Sequence, residues 1–352
     1  MRRLPIFFVI DVSESMAGNL PDVDKCMQMI LGELNSDPYA LETAFISTIV
    51  FAGRAVVLND LQEVYTLSVP KLPLGGGTDY GEAFSCLMRE IDRNVVKSSR
   101  DQKGDWKPLI FFFTDGNPTS TSYKSVFRKW NSSYAKNANV IGISLAAKLD
   151  YSILGMITEQ LFLIDSVDQE TIRGLAKWVS VSIKTTSVAI GDGKNFSDSD
   201  AIPGDNETVH RINLKKDNAG GENNVISSRD VKVIIGKCSK TRRRYIQLFA
   251  REDGSYREKG CYVMPDEEMY DKLTSGDNSG DTIDTALITG DMSSCPHCHN
   301  PVILTHCSCG RVFCSDPERA ERVFGGIKLT CPWCGSEGCY GGGNFGIGTG
   351  LG

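Results

Sequence analysis

A chain of 352 residues with 41% hydrophobic content is long enough for one sizeable domain plus a smaller module, and too apolar to be disordered throughout. Its 38 basic and 44 acidic residues give a net charge of −6, which excludes a general electrostatic attraction for nucleic acid or anionic membrane; any such binding would be local. The apolar run after Arg2 and Arg3 ends at Asp11, too short for a secretory core, and no later stretch approaches the roughly 20 apolar residues of a membrane span, so the chain is expected to be soluble and cytoplasmic.

Residues 6–10 read as a short buried strand. Pro21 then opens a helix on which Val23, Met27, Ile30, Leu31 and Leu34 recur at helical spacing up to the stop Asn35-Ser36-Asp37-Pro38. Residues 44–51 predict a strand, followed by a turn at Gly53 and a short strand through Val56 and Val57. Thr78 precedes a second amphipathic helix lined by Phe84, Leu87, Met88, Ile91 and Val95. Apolar runs at 109–113, 140–145 and 161–164 are separated by segments of helix length, and a helix from 169 to about 184 closes the series. Unalternated strands interleaved with helices predict an α/β fold over 1–187, with a doubly wound, mostly parallel sheet.

Residues 188–230 shift to Gly, Asp, Asn and Ser and read as a flexible linker or loop. Residues 231–340 predict a small β-rich, zinc-ribbon-like domain with strands at 231–236 and 245–250 and a candidate third at 261–264. Residues 341–352 are glycine-rich and expected to be a mobile tail.

Ligands of an open parallel sheet collect at the carboxyl ends of its strands. Three oxygen-rich turns fall there: Asp11-Val12-Ser13-Glu14-Ser15, Gly75-Gly76-Gly77-Thr78-Asp79 and Thr114-Asp115-Gly116. Hydroxyls and carboxylates without nitrogen or sulfur suit a hard divalent cation, Mg²⁺ or Mn²⁺. Each turn taken singly could be a helix cap or a common loop; three of them, each at a strand end, favour a metal site. Together they resemble the metal-ion-dependent adhesion site of von Willebrand factor A (vWA) domains. That resemblance implies hydroxyl ligands from Ser13, Ser15 and Thr78, and carboxylates from Asp11 and Asp115 acting directly or through water. A cation so held stays open to an Asp or Glu of a partner. Haloacid-dehalogenase-type phosphatases also place an Asp after a first strand, but they need a second Asp two residues on, where this chain has Ser13. Neither His nor Lys occurs in the loops to substitute, so the site reads as binding rather than catalysis.

Eight of the 12 cysteines crowd into 295–339, which favours metal over disulfides. Cys295-Pro296-His297-Cys298 and Cys331-Pro332-Trp333-Cys334 are two knuckles; Cys307, Cys309 and Cys314 lie between them and Cys339 beyond. The knuckles alone could close one tetrahedral Zn²⁺ site, and all eight cysteines could close two. Alternation along a strand puts Cys307 and Cys309 on one face and Cys314 on the other, leaving the pairing open. His297, His299 and His306 read as solvated, and Cys26 and Cys86 as core residues. Between Cys295 and Tyr340, four basic residues balance four acidic ones, which argues against a phosphate-binding surface. The basic run from Lys237 to Arg244 sits between two strands and reads as a solvated hairpin tip.

The whole arrangement resembles the TerY-like proteins of bacterial tellurite-resistance and stress-response loci, through Arg2-Arg3-Leu4-Pro5, Ser36-Asp37-Pro38, Gly104-Asp105-Trp106-Lys107-Pro108, Phe113-Thr114-Asp115-Gly116 and the cysteine cluster. The resemblance implies a cytoplasmic, non-enzymatic scaffold whose partners include a PP2C-type phosphatase and a Ser/Thr kinase. Two alternatives stand beside it: a metal-dependent phosphatase-like enzyme, and a zinc-knuckle interaction subunit of a nucleic-acid-associated complex.

Overall fold

The computed structural model describes residues 2–101, 103–145, 150–164, 169–191, 209–212, 231–275, 282–341 and 346–349. The chain divides into two units. Met1–Val12, Asn19–Leu72 and Thr78–Ile226 form the first, and Ser13–Gly18, Pro73–Gly77 and Ser227–Gly352 the second.

In the first unit, β1 (Leu4–Asp11) is buried along its whole length, as an unalternated run requires in a parallel sheet covered on both faces. Pro21 lies in the first turn of α1 (Leu20–Asn35), where a missing N–H costs nothing. The Asp37 carboxylate caps α2 (Pro38–Thr43) by accepting the Ala40 N–H. β2 (Ala44–Phe51) runs parallel to β1, and β3 (Ala55–Glu63) returns antiparallel along its outer edge. Then come α3 (Tyr80–Asn94), β4 (Leu109–Thr114), α4 (Tyr123–Ser133), β5 (Asn139–Ser144), α5 (Tyr151–Leu154), β6 (Leu161–Leu163), α6 (Gln169–Gly191) and β7 (His210–Arg211). Among the described residues the sheet has the order β3-β2-β1-β4-β5-β6-β7, with the five central strands parallel and both edge strands antiparallel.

Side chains alternate through this sheet. Phe7, Val9 and Phe112 join Phe84 of α3 and Phe127 and Trp130 of α4 in one buried cluster. On the opposite side of the strands Phe8 stacks on Phe111, their ring centroids 5.4 Å apart. Trp178 of α6 packs on Phe162 of β6 at 4.6 Å. Cys26 and Cys86 are buried core residues.

Two elements fall inside the stretch expected to be a linker. α6 runs to Gly191 because Ser187-Val188-Ala189-Ile190 offers no helix breaker. β7 adds to the sheet because Val209 and Ile212, which flank it, are buried; a composition average over a polar stretch hides two such residues. The rest of 188–230, including Asn218-Ala219-Gly220-Gly221, lies outside the described residues.

In the second unit β8 (Val231–Lys237), β9 (Arg244–Glu252) and β10 (Ser255–Val263) form an antiparallel meander. β10 begins at Ser255, well before the expected 261, because Asp253 (φ 47°) and Gly254 (φ 83°) make a two-residue hairpin turn with both residues left-handed. Asp266 caps α7 (Glu267–Leu273), and β11 (Thr282–Asp284) follows. β12 (Val302–His306) and β13 (Val312–Ser315) complete a five-stranded sheet ordered β10-β9-β8-β13-β12. A separate three-stranded sheet comprises β14 (Glu321–Val323), β15 (Gly326–Thr330) and β16 (Glu337–Tyr340). β17 (Gly346–Gly348) pairs with β11 and places buried Ile347 opposite buried Ile283, so part of the expected mobile tail is strand. No helix among the described residues is long and apolar enough to cross a membrane.

Candidate metal centres

The order β2-β1-β4 places a topological switch point at the carboxyl ends of β1 and β4, because the chain leaves β1 toward one side and returns on the other. Asp11 is the last residue of β1, and Asp115 follows directly on β4. Asp11 is fully buried and accepts a 2.7 Å hydrogen bond from the Thr114 hydroxyl to its Oδ2. The Tyr80 hydroxyl donates to the Gly116 carbonyl at 2.6 Å and lies 3.2 Å from Thr114 Oγ1. Burial holds the Tyr80 hydroxyl well above its ordinary range, so it remains a donor. Thr114 and Tyr80 thus orient the two acidic loops. The sequence alone does not mark them, since a Thr ending a strand and a Tyr opening a helix are ordinary.

Asp79, not Thr78, caps α3 by accepting the Gly81 and Glu82 N–H groups, and Asn19 occupies the N-cap position of α1. Thr78 is 2% exposed and its backbone is tied to Thr119 through N and O. Ser13 and Ser15 follow Asp11, and their hydroxyls stand 3.0 Å apart. Adjacent corners of an octahedron with Mg–O bonds near 2.1 Å are separated by about 3 Å, so this pair fits neighbouring ligand positions of such an ion. The donor set holds no nitrogen or sulfur.

Eight of the ten cysteines of the second unit gather into two groups of four, each with its Sγ atoms within 4.8 Å of one another. One holds Cys238, Cys295, Cys298 and Cys314; the other holds Cys307, Cys309, Cys331 and Cys334. The two Cys-x-x-Cys knuckles therefore belong to different groups, and Cys314 parts from Cys307 and Cys309 because a turn intervenes: Cys307 and Cys309 follow β12, and Cys314 lies on antiparallel β13, so no single strand carries all three. All these thiols are free. Sγ separations of 3.6 Å (Cys298–Cys314), 3.8 Å (Cys307–Cys334) and 3.9 Å (Cys309–Cys331) fit the roughly 3.8 Å edge of a tetrahedron with Zn–S bonds near 2.3 Å.

Cys339 belongs to neither group. It sits on exposed β16 opposite Lys328, with its Sγ 3.9 Å from the Phe324 carbonyl. Its place is taken by Cys238, at the end of β8 and far upstream of the cluster. The signal for it was a repeated turn. Cys238 N–H donates to Arg243 O and Arg242 N–H to Cys238 O; Cys295 makes the same pair with Asn300 and His299, and Cys331 with Ser336 and Gly335. Arg242, His299 and Gly335 all have φ between 60° and 79°. Cys307 opens a turn one residue shorter, closed through Gly310 and Arg311. In the Cys238 turn Thr241 stands where a knuckle has its second cysteine, which disguises the motif.

The basic run from Lys237 to Arg244 is a solvated hairpin tip, as expected: it joins antiparallel β8 and β9, residues 240–243 are exposed, and buried Cys238 anchors its base. Lys237, Arg244 and Arg311 approach the Trp333 ring at 4.9, 5.9 and 4.5 Å. His297, His299 and His306 belong to neither cysteine group, and His297 Nε2 lies 2.9 Å from the Arg244 carbonyl.

Backbone N–H groups point at the sulfurs: Thr241 at Cys238 and Ser239 at Cys314, both at 3.3 Å. Burial pushes the Cys238 thiol up, but hydrogen bonds from Thr241, Lys240 and Cys298 outweigh it and bring it down to about 7. At Cys307 burial again opposes, while the Cys309 N–H, Tyr340, Ser336 and Cys331 bring the thiol down to about 5. Cys298 is pushed up to about 11 by burial. Each group thus contains a thiol held below its ordinary range, and in the second group hydrogen bonds from Ser336 lower Cys334 as well.

These features define the class as a doubly wound α/β domain followed by a β-rich, cysteine-bearing metal-binding domain. Residues 6–175 match the von Willebrand factor type A domain and residues 228–352 the TerY-C metal binding domain. Over 155 residues, 42% of the chain, it is 24% identical to human inter-alpha-trypsin inhibitor heavy chain H6, of which it spans 12%. A von Willebrand factor type A structure from Catenulispora acidiphila has 14% identity and a TM-score of 0.41, covering 79% of this chain and 70% of that one. Mussel proximal thread matrix protein 1, in a structure with a zinc-occupied MIDAS motif, has 13% identity and a TM-score of 0.38, covering 52% of this chain and 48% of its own.

Proposed function

We propose that this protein is a non-enzymatic, cytoplasmic scaffold that captures an acidic side chain of a partner through a divalent cation. Asp11, Ser13, Ser15, Thr78 and Asp115 would hold Mg²⁺ or Mn²⁺, and the two cysteine groups would each hold Zn²⁺. The oxygen-only donor set at the switch point carries this reading. Three neutral hydroxyls and two carboxylates leave a bound cation electron-poor enough to accept one more carboxylate oxygen. The protein's own part is to fix the loops: Thr114 holds the Asp11 carboxylate and Tyr80 holds the Gly116 carbonyl. The three loops hold no His or Lys, and the position two residues after Asp11 is Ser13 rather than a second Asp, which supports adhesion over phosphatase chemistry. The pairing of vWA with TerY-C supports a place in tellurite-resistance-type stress or defence signalling, with a PP2C-type phosphatase and a Ser/Thr kinase as partners.

Affinity capture of such partners, with and without a chelator for Mg²⁺, tests the proposal. Asp11→Ala is expected to abolish capture while zinc content stays unchanged. Capture that persists in excess chelator, or Mg²⁺-dependent turnover of a phosphomonoester lost in Asp11→Asn, would overturn it.

A further inference from the structure

The second unit includes Ser13–Gly18 and Pro73–Gly77 among its segments, and the contacts that hold them there are specific. Glu14, between the two serines of the Asp-x-Ser-x-Ser loop, is fully buried, and its Oε1 accepts a hydrogen bond from the Tyr270 hydroxyl of α7. A buried carboxylate costs several kcal/mol unless it is matched by donors. Spacing Ser13 from Ser15 requires no such group.

The same hydroxyl also reaches the second loop. A Cβ on Gly76 would lie 3.2 Å from Tyr270 Oη and 2.9 Å from Thr274 Cγ2, so only glycine leaves room. The Gly76 N–H donates to Thr274 Oγ1 at 2.9 Å, and that hydroxyl donates onward to the Tyr270 carbonyl at 2.7 Å. Ser13 and Gly75 form a parallel bridge between the loops. Near the end of the first segment, a Cβ on Gly18 would meet Tyr262 Oη at 2.9 Å. Burial and the Glu14 charge hold the Tyr270 hydroxyl well above its ordinary range, so it donates at every physiological pH.

We propose that Tyr270 and Thr274 are positioning residues for the oxygen metal site: they pin Glu14 and Gly76 and so set the geometry of the Ser13 and Ser15 hydroxyl pair. This rests on reading the loops as a divalent-cation site.

The test uses the full chain, zinc-loaded, with Mn²⁺ as the probe, followed by electron paramagnetic resonance. Tyr270→Phe and Thr274→Val should each weaken Mn²⁺ binding about 10- to 100-fold, the range for residues that hold ligands from behind. Both should also speed amide exchange over 13–18 in the metal-free protein, with zinc content unchanged. In a Glu14→Gln background, Tyr270→Phe should weaken binding by a smaller factor than in the native chain. Thr274→Val keeps the side-chain shape and serves if Tyr270→Phe fails to fold. Native-like Mn²⁺ affinity in a folded Tyr270→Phe or Thr274→Val variant overturns the proposal, even where the melting temperature falls. A native chain that binds no Mn²⁺ overturns both the proposal and the metal-site reading beneath it.

Discussion

The two candidate metal regions hold their donors in opposite ways. Asp11 and Asp115 stand on strand ends of a sheet whose cluster of Phe7, Phe84, Phe112, Phe127 and Trp130 is complete without any ion. In the second unit the donors are the core: Cys238, Cys295 and Cys314 are buried with Ile234, Tyr245 and Ile303, and Cys307 and Cys331 with Phe313. A cation at the first site adds a function to a finished fold; a cation at either cysteine group substitutes for apolar volume the sequence does not supply. Metal ligation would therefore serve the proposed capture in one region and folding in the other.

Cys238→Ser should break this contrast most visibly. Structural zinc contributes on the order of 10–16 kcal/mol in small thiolate domains, so the second unit should lose one of two zinc ions and its cooperative thermal transition while the first keeps its own. Elemental analysis and calorimetry would show it, and a variant retaining two zinc ions would remove Cys238 from the ligand set. Next is Trp130→Ala, which empties a fully buried site. It should cost the first unit about 3–5 kcal/mol in denaturant unfolding and leave zinc content unaltered. Thr114→Val takes the donor from Asp11 Oδ2 and should cost about 1–3 kcal/mol, with weaker Mn²⁺ binding by titration calorimetry. Smallest is Cys339→Ser: within about 0.5 kcal/mol of the native chain by thermal melting and still binding two zinc ions. Loss of one ion there would return Cys339 to the metal site.

The same contrast sets what the sequence discloses. Strand residues buried on both faces must be apolar without interruption, so β1, β2, β4 and β5 stand out, and the Asp-x-Ser-x-Ser and Thr-Asp-Gly turns at their ends follow at once. Cysteine spacing reveals a cluster but not its partition, because pairing depends on how β8, β12 and β13 lie side by side. β8 and β13 are parallel neighbours separated by a long stretch of chain, and no local pattern brings Cys238 next to Cys314. β7 and β17 escaped for a related reason: each has one or two buried apolar residues within polar or glycine-rich surroundings.

The hydrogen bond between Tyr270 and Glu14 joins residues 256 positions apart. At synthesis rates of 5–20 residues per second, Tyr270 is made roughly 10–50 s after Glu14. The serine loop is among the first segments to leave the ribosome and among the last to find its partners. Until Tyr270 arrives, the Glu14 carboxylate lacks its buried donor and stays in water.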